Sequence, residues 1–120
     1  MDFIEGIDVV GLVRPGVVSR QLLWPRNVPD ARCTITEVHV EPHAVQPRHV
    51  HEASEQVWYA LSGAGTLLVA DGRERPLVAG DVVRFAPGDV HGLAAGDEGL
   101  TYLSVTTPPI DFGGAYDGQR

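Results

Sequence analysis

Short runs of alternating hydrophobic and polar residues cover most of this chain. Runs such as CTITEVHV, EQVWYAL, GTLLVA, DVVRFA and LTYLSVT are rich in β-branched and aromatic residues, and glycine or proline separates them. No window of about 11 residues keeps the 3.6-residue apolar period of an amphipathic helix. The pattern therefore predicts an all-β sandwich or barrel without long helices.

Alternation within single runs predicts which side chains face the interior. In TITEVHV, Val38 and Val40 share one face and His39 takes the other, so we expect His39 at the surface or in an interface. If Gln56 faces the interior of the barrel, the same alternation turns Trp58 toward the interior as well. The opposite face of that run would carry the apolar residues Val57, Tyr59 and Leu61.

Turn signals divide the chain into three parts within one domain, which is what 120 residues predict. Residues 1–30 contain three separated prolines and should form an arm or edge strands. Residues 31–106 hold the β-rich runs and should form the barrel, with a hairpin tip at residues 71–75, where Asp71-Gly72 can adopt positive φ. Residues 107–120 are predicted to form a loose tail.

Charge and composition limit the partners of this protein. The net charge is −7 and none of the nine basic residues, all arginine, fall into a basic run, which argues against nucleic-acid binding. No apolar stretch approaches the ~20 residues of a membrane span. The acidic start MDFIEGID predicts a cytoplasmic protein, and the absence of lysine is consistent with a GC-rich bacterial source. Small molecules and other proteins remain as partners.

Two histidine-containing segments carry the candidate chemistry. His49 and His51 lie in PRHVHEASEQ, and in a strand residues i and i+2 project from one face, so both imidazoles can bind one ion. Further along, GDVVRFAPGDVHG places His91 after a strand and a turn. Glu55 and Gln56 both follow the first pair closely, and the segment alone leaves open which of them completes a metal site.

Together the two segments resemble the paired motifs of the cupin superfamily. The first motif has the order H-x-H, glutamate, glycine and falls on residues 43–63. The second has the order glycine, P-x-G, histidine and falls on residues 80–95. The resemblance implies a double-stranded β-helix, or jelly-roll barrel, that holds a divalent ion near its open end. This chain has His43 where the first motif prefers glycine and Ala95 where the second has asparagine.

The resemblance also implies a ligand set. The family's ligand histidines fall on His49, His51 and His91, and counting back from the closing Gly63 to the family's glutamate reaches Gln56. Gln56 is therefore favoured as the fourth ligand. Glu55 would instead serve as a hydrogen-bond partner of a histidine or as a general base at the rim. Three imidazoles and an amide suit one zinc, nickel, iron, manganese or copper ion per chain.

Four further side chains are candidates for a role at the site. His43 follows Pro42 in a turn and could reach over the barrel mouth as an extra ligand or proton shuttle. Arg84 could bind a substrate carboxylate or face solvent. Trp58 and Tyr102 could line the substrate pocket.

The neutral glutamine favours one function over its alternatives. Without a carboxylate ligand the full charge of a divalent ion faces the substrate, which strengthens Lewis-acid chemistry and favours non-redox reactions. We expect a metal-dependent enzyme that acts on a small polar or phenolic molecule as a lyase, isomerase, decarboxylase or aromatic cyclase. The alternatives are a quercetinase-like or ring-cleaving dioxygenase and a non-catalytic ligand-binding cupin. The resemblance further implies a homodimer that buries the apolar outer face.

Overall fold

Antiparallel β-structure dominates the computed structural model, which describes residues 1–116. The eight strands of this range confirm the predicted all-β class. They are β1 (Val10–Arg14), β2 (Val17–Leu23), β3 (Thr34–Val40), β4 (Val45–His49), β5 (Glu55–Val69), β6 (Glu74–Val78), β7 (Val82–Phe85) and β8 (His91–Thr107). The helical segments are single turns at Gly6–Asp8, Ala70–Gly72 and Gly113–Tyr116, the last of which is α1. No helix of the described range is long and apolar enough to cross a membrane.

The two longest strands, β5 and β8, connect all parts of the sheet. The strand order is β1-β2-β3-β8-β5-β6, with β4 added beside β8 and β7 added beside β5. The first half of β5 pairs with β7 and with the end of β8, and its second half pairs with β6 and with the start of β8. Both halves of the jelly roll are therefore built on the same two strands.

Gly63 allows β5 to change register where it passes from one half to the other. The pairing with β8 shifts on both sides of this residue, and its φ of 83° lies in the left-handed region. A Cβ at this position would clash with the carbonyl oxygen of Gly99. The closing glycine of the first motif is thus required by both its φ and the close approach of β8.

The predicted alternation of inward and outward residues is confirmed in β3 and β5. Val38, Val40 and Trp58 are all buried, whereas His39 is exposed and contacts Thr101 and Glu37. On the outer face of β5, Tyr59 and Leu61 keep 46% and 42% of their surface exposed. This apolar outer face is what the predicted homodimer would cover, and the dimer itself stays a prediction.

Two non-glycine residues adopt positive φ at turns. Asp71, with φ 62°, forms the predicted hairpin tip between β5 and β6 together with Gly72, whose φ is 70°. His43, with φ 64°, occupies the turn before β4 where the first motif prefers glycine. Histidine is among the residues that tolerate this conformation, so the turn is kept without glycine.

The C-terminal segment packs against the barrel as far as the structure describes it. Thr34 Oγ1 donates to the Ile110 carbonyl at 2.8 Å, Ser54 Oγ donates to the Pro108 carbonyl at 2.8 Å, and the Arg26–Asp111 ion pair closes at 2.8 Å. The Pro108 and Ile110 carbonyls and the Asp111 carboxylate thus find partners far away in the chain, and the predicted bounds of the tail stay a prediction. Residues 117–120 of the predicted tail lie outside the described range.

Candidate metal centre and substrate cavity

The ends of β4 and β8 bring three histidines together. His49 ends β4 and lies directly opposite His91, which begins β8, while His51 follows in the loop after β4. Their ring centroids are 4.3 Å apart for His49 and His91, 5.0 Å for His49 and His51, and 5.3 Å for His51 and His91. One ring nitrogen of each lies within 4.8 Å of the others. These three histidines could hold a metal ion.

Backbone carbonyls fix the orientation of two of these rings. His49 Nδ1 lies 2.9 Å from the Pro47 carbonyl oxygen and His91 Nδ1 lies 3.0 Å from that of Asp89. A carbonyl only accepts hydrogen bonds, so each Nδ1 carries the proton and each Nε2 keeps its lone pair in the neutral ring. His91 Nε2 is buried and has no hydrogen-bond partner among the described residues. This arrangement fits metal binding through Nε2.

His49 and His51 border a cavity of about 680 Å³ that has one aromatic wall. Trp58 and Tyr102 stack there with ring centroids 4.0 Å apart and planes 22° apart. The Tyr102 hydroxyl donates to Gln46 Oε1 at 3.0 Å. Phe112, from the docked C-terminal segment, also lines the cavity and lies 5.9 Å from the His51 ring. The volume is typical of sites for small organic ligands.

A second wall of the cavity is polar but uncharged. Ser19, Thr36, Gln56 and Ser104 line it from strands β2, β3, β5 and β8. All four side chains are buried. The cavity therefore offers an aromatic wall, hydroxyl groups and the imidazoles of His49 and His51 to one ligand.

A comparison with protein families agrees with this geometry. Residues 36–106 match the family model described as the Cupin domain, which covers more than half of the chain. The chain belongs to the cupin family. The match includes the three histidines and all or most of each of the six strands β3 to β8, whereas β1 and β2 lie outside it.

This cupin is similar to proteins of several kinds. It is 26% identical to the uncharacterized protein MJ1618 of Methanocaldococcus jannaschii over 82% of this chain and 78% of that one. It is 27% identical to the polyketide cyclase RemF of Streptomyces resistomycificus, covering 90% of this chain and 79% of that one with a TM-score of 0.74. It shares its fold with ectoine synthase of P. lautus at 16% identity and a TM-score of 0.82, covering 98% of this chain and 85% of that one.

In this cupin the amide of Gln56 lines the same cavity as His49 and His51 and is held by two hydrogen bonds. Trp58 Nε1 donates to Gln56 Oε1 at 3.0 Å, and Gln56 Nε2 donates to Thr106 Oγ1 at 3.0 Å. An indole N–H only donates, which assigns the oxygen of the amide to the Trp58 side. An amide oxygen has two lone pairs, so one remains for a second partner. Metal binding by Gln56 stays a prediction that this contact geometry permits.

Glu55 and Arg84 lie together on the outer face of the barrel. The Glu55 carboxylate pairs with the Arg84 guanidinium at 2.5 Å, and neither residue is among those lining the cavity. The reason is the two-residue period of β5, since Gln56 faces inward and its neighbour Glu55 must face outward. Roles of Glu55 as a hydrogen-bond partner or general base and of Arg84 as a substrate contact stay predictions.

His43 also lies outside the three-histidine group of the described chain. It is exposed and its Nε2 lies 3.2 Å from Asp97 Oδ1. A role as an extra ligand or proton shuttle stays a prediction. Trp58 and Tyr102, in contrast, both line the cavity as substrate contacts require.

Sequence reasoning missed Phe112, Phe85 and the polar wall. Phe85 stacks on His91 with ring centroids 4.3 Å apart. The alternation in DVVRFA could have revealed it, because an outward Arg84 turns Phe85 inward. Phe112 gave only a weak signal, an aromatic residue in a glycine-rich segment. Serines and threonines in strands gave none, since they are equally common on solvent-facing surfaces.

Burial favours the neutral form of His91 and His51. It lowers the pKa of His91 from 6.5 to about 4, and burial together with the nearby His49 lowers the pKa of His51. Neutral imidazole is the form that binds a metal ion. The fold therefore presents His91 with its lone pair available at neutral pH.

We expect the metal-free protein to lose stability as the pH falls from 6.5 toward 4. In this window the unfolded chain protonates His91 and the folded chain does not. The contribution of neutral His91 to the free energy of unfolding is fully present above pH 6.5, and roughly 3 kcal/mol of it is lost as the pH falls to 4. Urea unfolding in the presence of a chelator measures it. A His91→Leu variant should show a smaller pH dependence, whereas His39→Ala, which alters an exposed histidine, should keep it. Equal pH dependence in all three proteins would contradict the expectation.

Proposed function

We propose that this cupin is a metal-dependent enzyme that acts on a small polar or phenolic molecule by Lewis-acid and acid–base chemistry. The observation that carries the proposal is a group of three imidazoles, two of which, His49 and His51, line a cavity of about 680 Å³. A purely structural histidine cluster would not need a cavity of this size beside it.

In this proposal His49, His51, His91 and Gln56 hold one divalent ion. When bound, the ion supplies Lewis acidity and favours an anionic oxygen of the substrate. All four side chains are neutral, so none of them offsets its positive charge. The rings of His49 and His91 are already oriented for metal binding, because backbone carbonyls accept hydrogen bonds from their Nδ1 atoms.

The remaining side chains of the cavity would orient the substrate and exclude water. The stacked pair of Trp58 and Tyr102 offers a flat surface for a ring. The hydrogen bond from Tyr102 to Gln46 fixes the phenol at the cavity wall. Phe112 covers His51 and restricts access of water from that side.

The similarity to RemF supports a cyclase or related non-redox activity within this range. RemF is described as a polyketide cyclase, and its similarity to this chain, at 27% identity, extends over 90% of this chain. A dioxygenase and a non-catalytic ligand-binding protein remain the outcomes against which the proposal is tested.

Metal analysis combined with anaerobic turnover tests the proposal. The chain is purified without a histidine tag, its metal content is measured, and phenolic and small polar substrates are supplied with and without oxygen. We expect about one ion per chain and turnover that does not require oxygen. Oxygen consumption coupled to turnover would favour the dioxygenase, and tight ligand binding without turnover would favour a binding protein.

A further inference from the structure

We propose that Ser19, Thr36 and Ser104 form a subsite that binds the hydroxyl or carbonyl groups of a neutral, polyhydroxylated aromatic ring. The inference rests on the proposed function, since it names the substrate class for the same cavity. It concerns the polar wall rather than the histidine group.

The strand register places these three hydroxyls side by side. Thr36 of β3 lies directly opposite Ser104 of β8 on one side and Gln21 of β2 on the other. Ser19 lies two residues before Gln21 on the same face of β2, and it lines the same cavity. Side chains directly opposite each other on antiparallel strands have Cβ atoms about 4.5–5.5 Å apart. That spacing is close to the separation of substituents on one aromatic ring.

One of these hydroxyls has an unused hydrogen-bonding capacity. Ser104 is only 3% exposed, and its Oγ has no hydrogen-bond partner within the described part of the chain. Gln21 Oε1, in the same row of the sheet, is unpartnered there as well. Burying such a group without a partner is unfavourable, because its hydrogen bonds to water are lost and not replaced. A ligand oxygen at this wall would satisfy Ser104 and recover that cost.

The charge distribution selects a neutral ligand group at this wall. Apart from the histidines, the charged side chains among the described cavity-lining residues are Arg14 and Arg48, and both are exposed. Arg48 donates to the backbone carbonyls of Val69 and Arg73. A carboxylate or phosphate placed against Ser104 would be desolvated without a cation, which is unfavourable.

An aromatic ring fits because the hydroxyls adjoin the aromatic wall. Trp58 lies directly opposite Ser104 in the neighbouring strand and stacks on Tyr102. A flat ligand lying on these rings would direct its substituents toward Ser104 and Thr36. The class indicated is a polyphenol or its keto tautomer.

Calorimetric titration of the full chain, with its metal bound, measures binding of phloroglucinol, a neutral ring with hydroxyl substituents. We expect Ser104→Ala and Thr36→Val each to weaken binding about fivefold, the effect of one hydrogen bond. The matched controls Ser62→Ala and Thr101→Val remove hydroxyls outside the cavity and should leave affinity unchanged. Benzoate, whose carboxylate can bind the ion and whose ring carries no hydroxyl for the subsite, should bind with an affinity that does not respond to Ser104→Ala.

A second measurement separates ligand binding from a structural role. Because Ser104 Oγ is unpartnered, Ser104→Ala should leave the urea midpoint of the ligand-free protein unchanged or raised. A lowered midpoint with unchanged phloroglucinol affinity would overturn the subsite. Absence of phloroglucinol binding, or binding insensitive to both cavity variants as expected for attachment to the metal alone, would overturn it too.

The titration does not depend on turnover, so the two proposals fail separately. Affinity that responds to Ser104 and Thr36 without any turnover retains the subsite and rejects the enzyme. Turnover with affinity independent of both residues retains the enzyme and rejects the subsite.

Discussion

Replacing His49 and His91 together by alanine should yield a protein that purifies without bound metal. The two residues lie directly opposite each other at the ends of β4 and β8, so the variant removes two of three imidazoles from one group. Changes to residues that merely support metal ligands already weaken affinity about 10–100-fold, and loss of two ligands should exceed this range. Elemental analysis of the purified protein measures the loss.

The matched control replaces His39 and His43 by alanine. Both are exposed histidines outside the group, and this variant should retain its metal. Circular dichroism should show the same β-content in both variants, because alanine at the buried His91 leaves a cavity without removing strand hydrogen bonds. Unchanged metal occupancy after the His49/His91 replacement would reject the site.

The second large effect is expected at the start of β5, where Gln56→Ala should weaken metal binding and Glu55→Ala should not. Gln56 is buried on the inner face, whereas Glu55 pairs with Arg84 on the outer face. Exposed ion pairs contribute about 0–1 kcal/mol, so losing this one should change little. Competition with a chromophoric chelator measures the affinity of each variant.

A Gln56→Glu variant distinguishes loss of a ligand from loss of packing. Gln56→Ala also removes the partner of Trp58 Nε1 and Thr106 Oγ1, which could disturb the cavity indirectly. Glutamate keeps the shape and an acceptor for Trp58 and adds a negative charge, so it should bind the ion more tightly than the unchanged chain. If Glu55→Ala strips the ion and Gln56→Ala does not, the carboxylate is the ligand and the dioxygenase becomes the better proposal.

Much of the fold could be predicted from local sequence patterns. The two-residue period turned Val38 and Trp58 inward and His39 outward, because side chains in a strand alternate between faces. The Asp71-Gly72 hairpin followed from the conformational preference of that dipeptide. His49 and His51 could be paired by spacing, and His91 joined them through a resemblance to known motifs.

Features that depend on distant contacts could not be predicted in this way. The docking of the C-terminal segment rests on Thr34 and Ile110, which are 76 positions apart. The polar wall depends on which serines and threonines meet across four strands, and no local pattern marks them. The placement of Glu55 was within reach, since an inward Gln56 requires an outward neighbour.

The sharing of β5 and β8 between both halves of the barrel has a consequence for how the protein opens. Gln56 stands near the start of β5 and His91 at the start of β8, and each strand continues into the other half of the sheet. Neither half can detach without breaking the ladder of the other, so the barrel should unfold as one cooperative unit. A ligand bound at these strand ends would therefore slow amide hydrogen exchange throughout the barrel rather than only around the cavity.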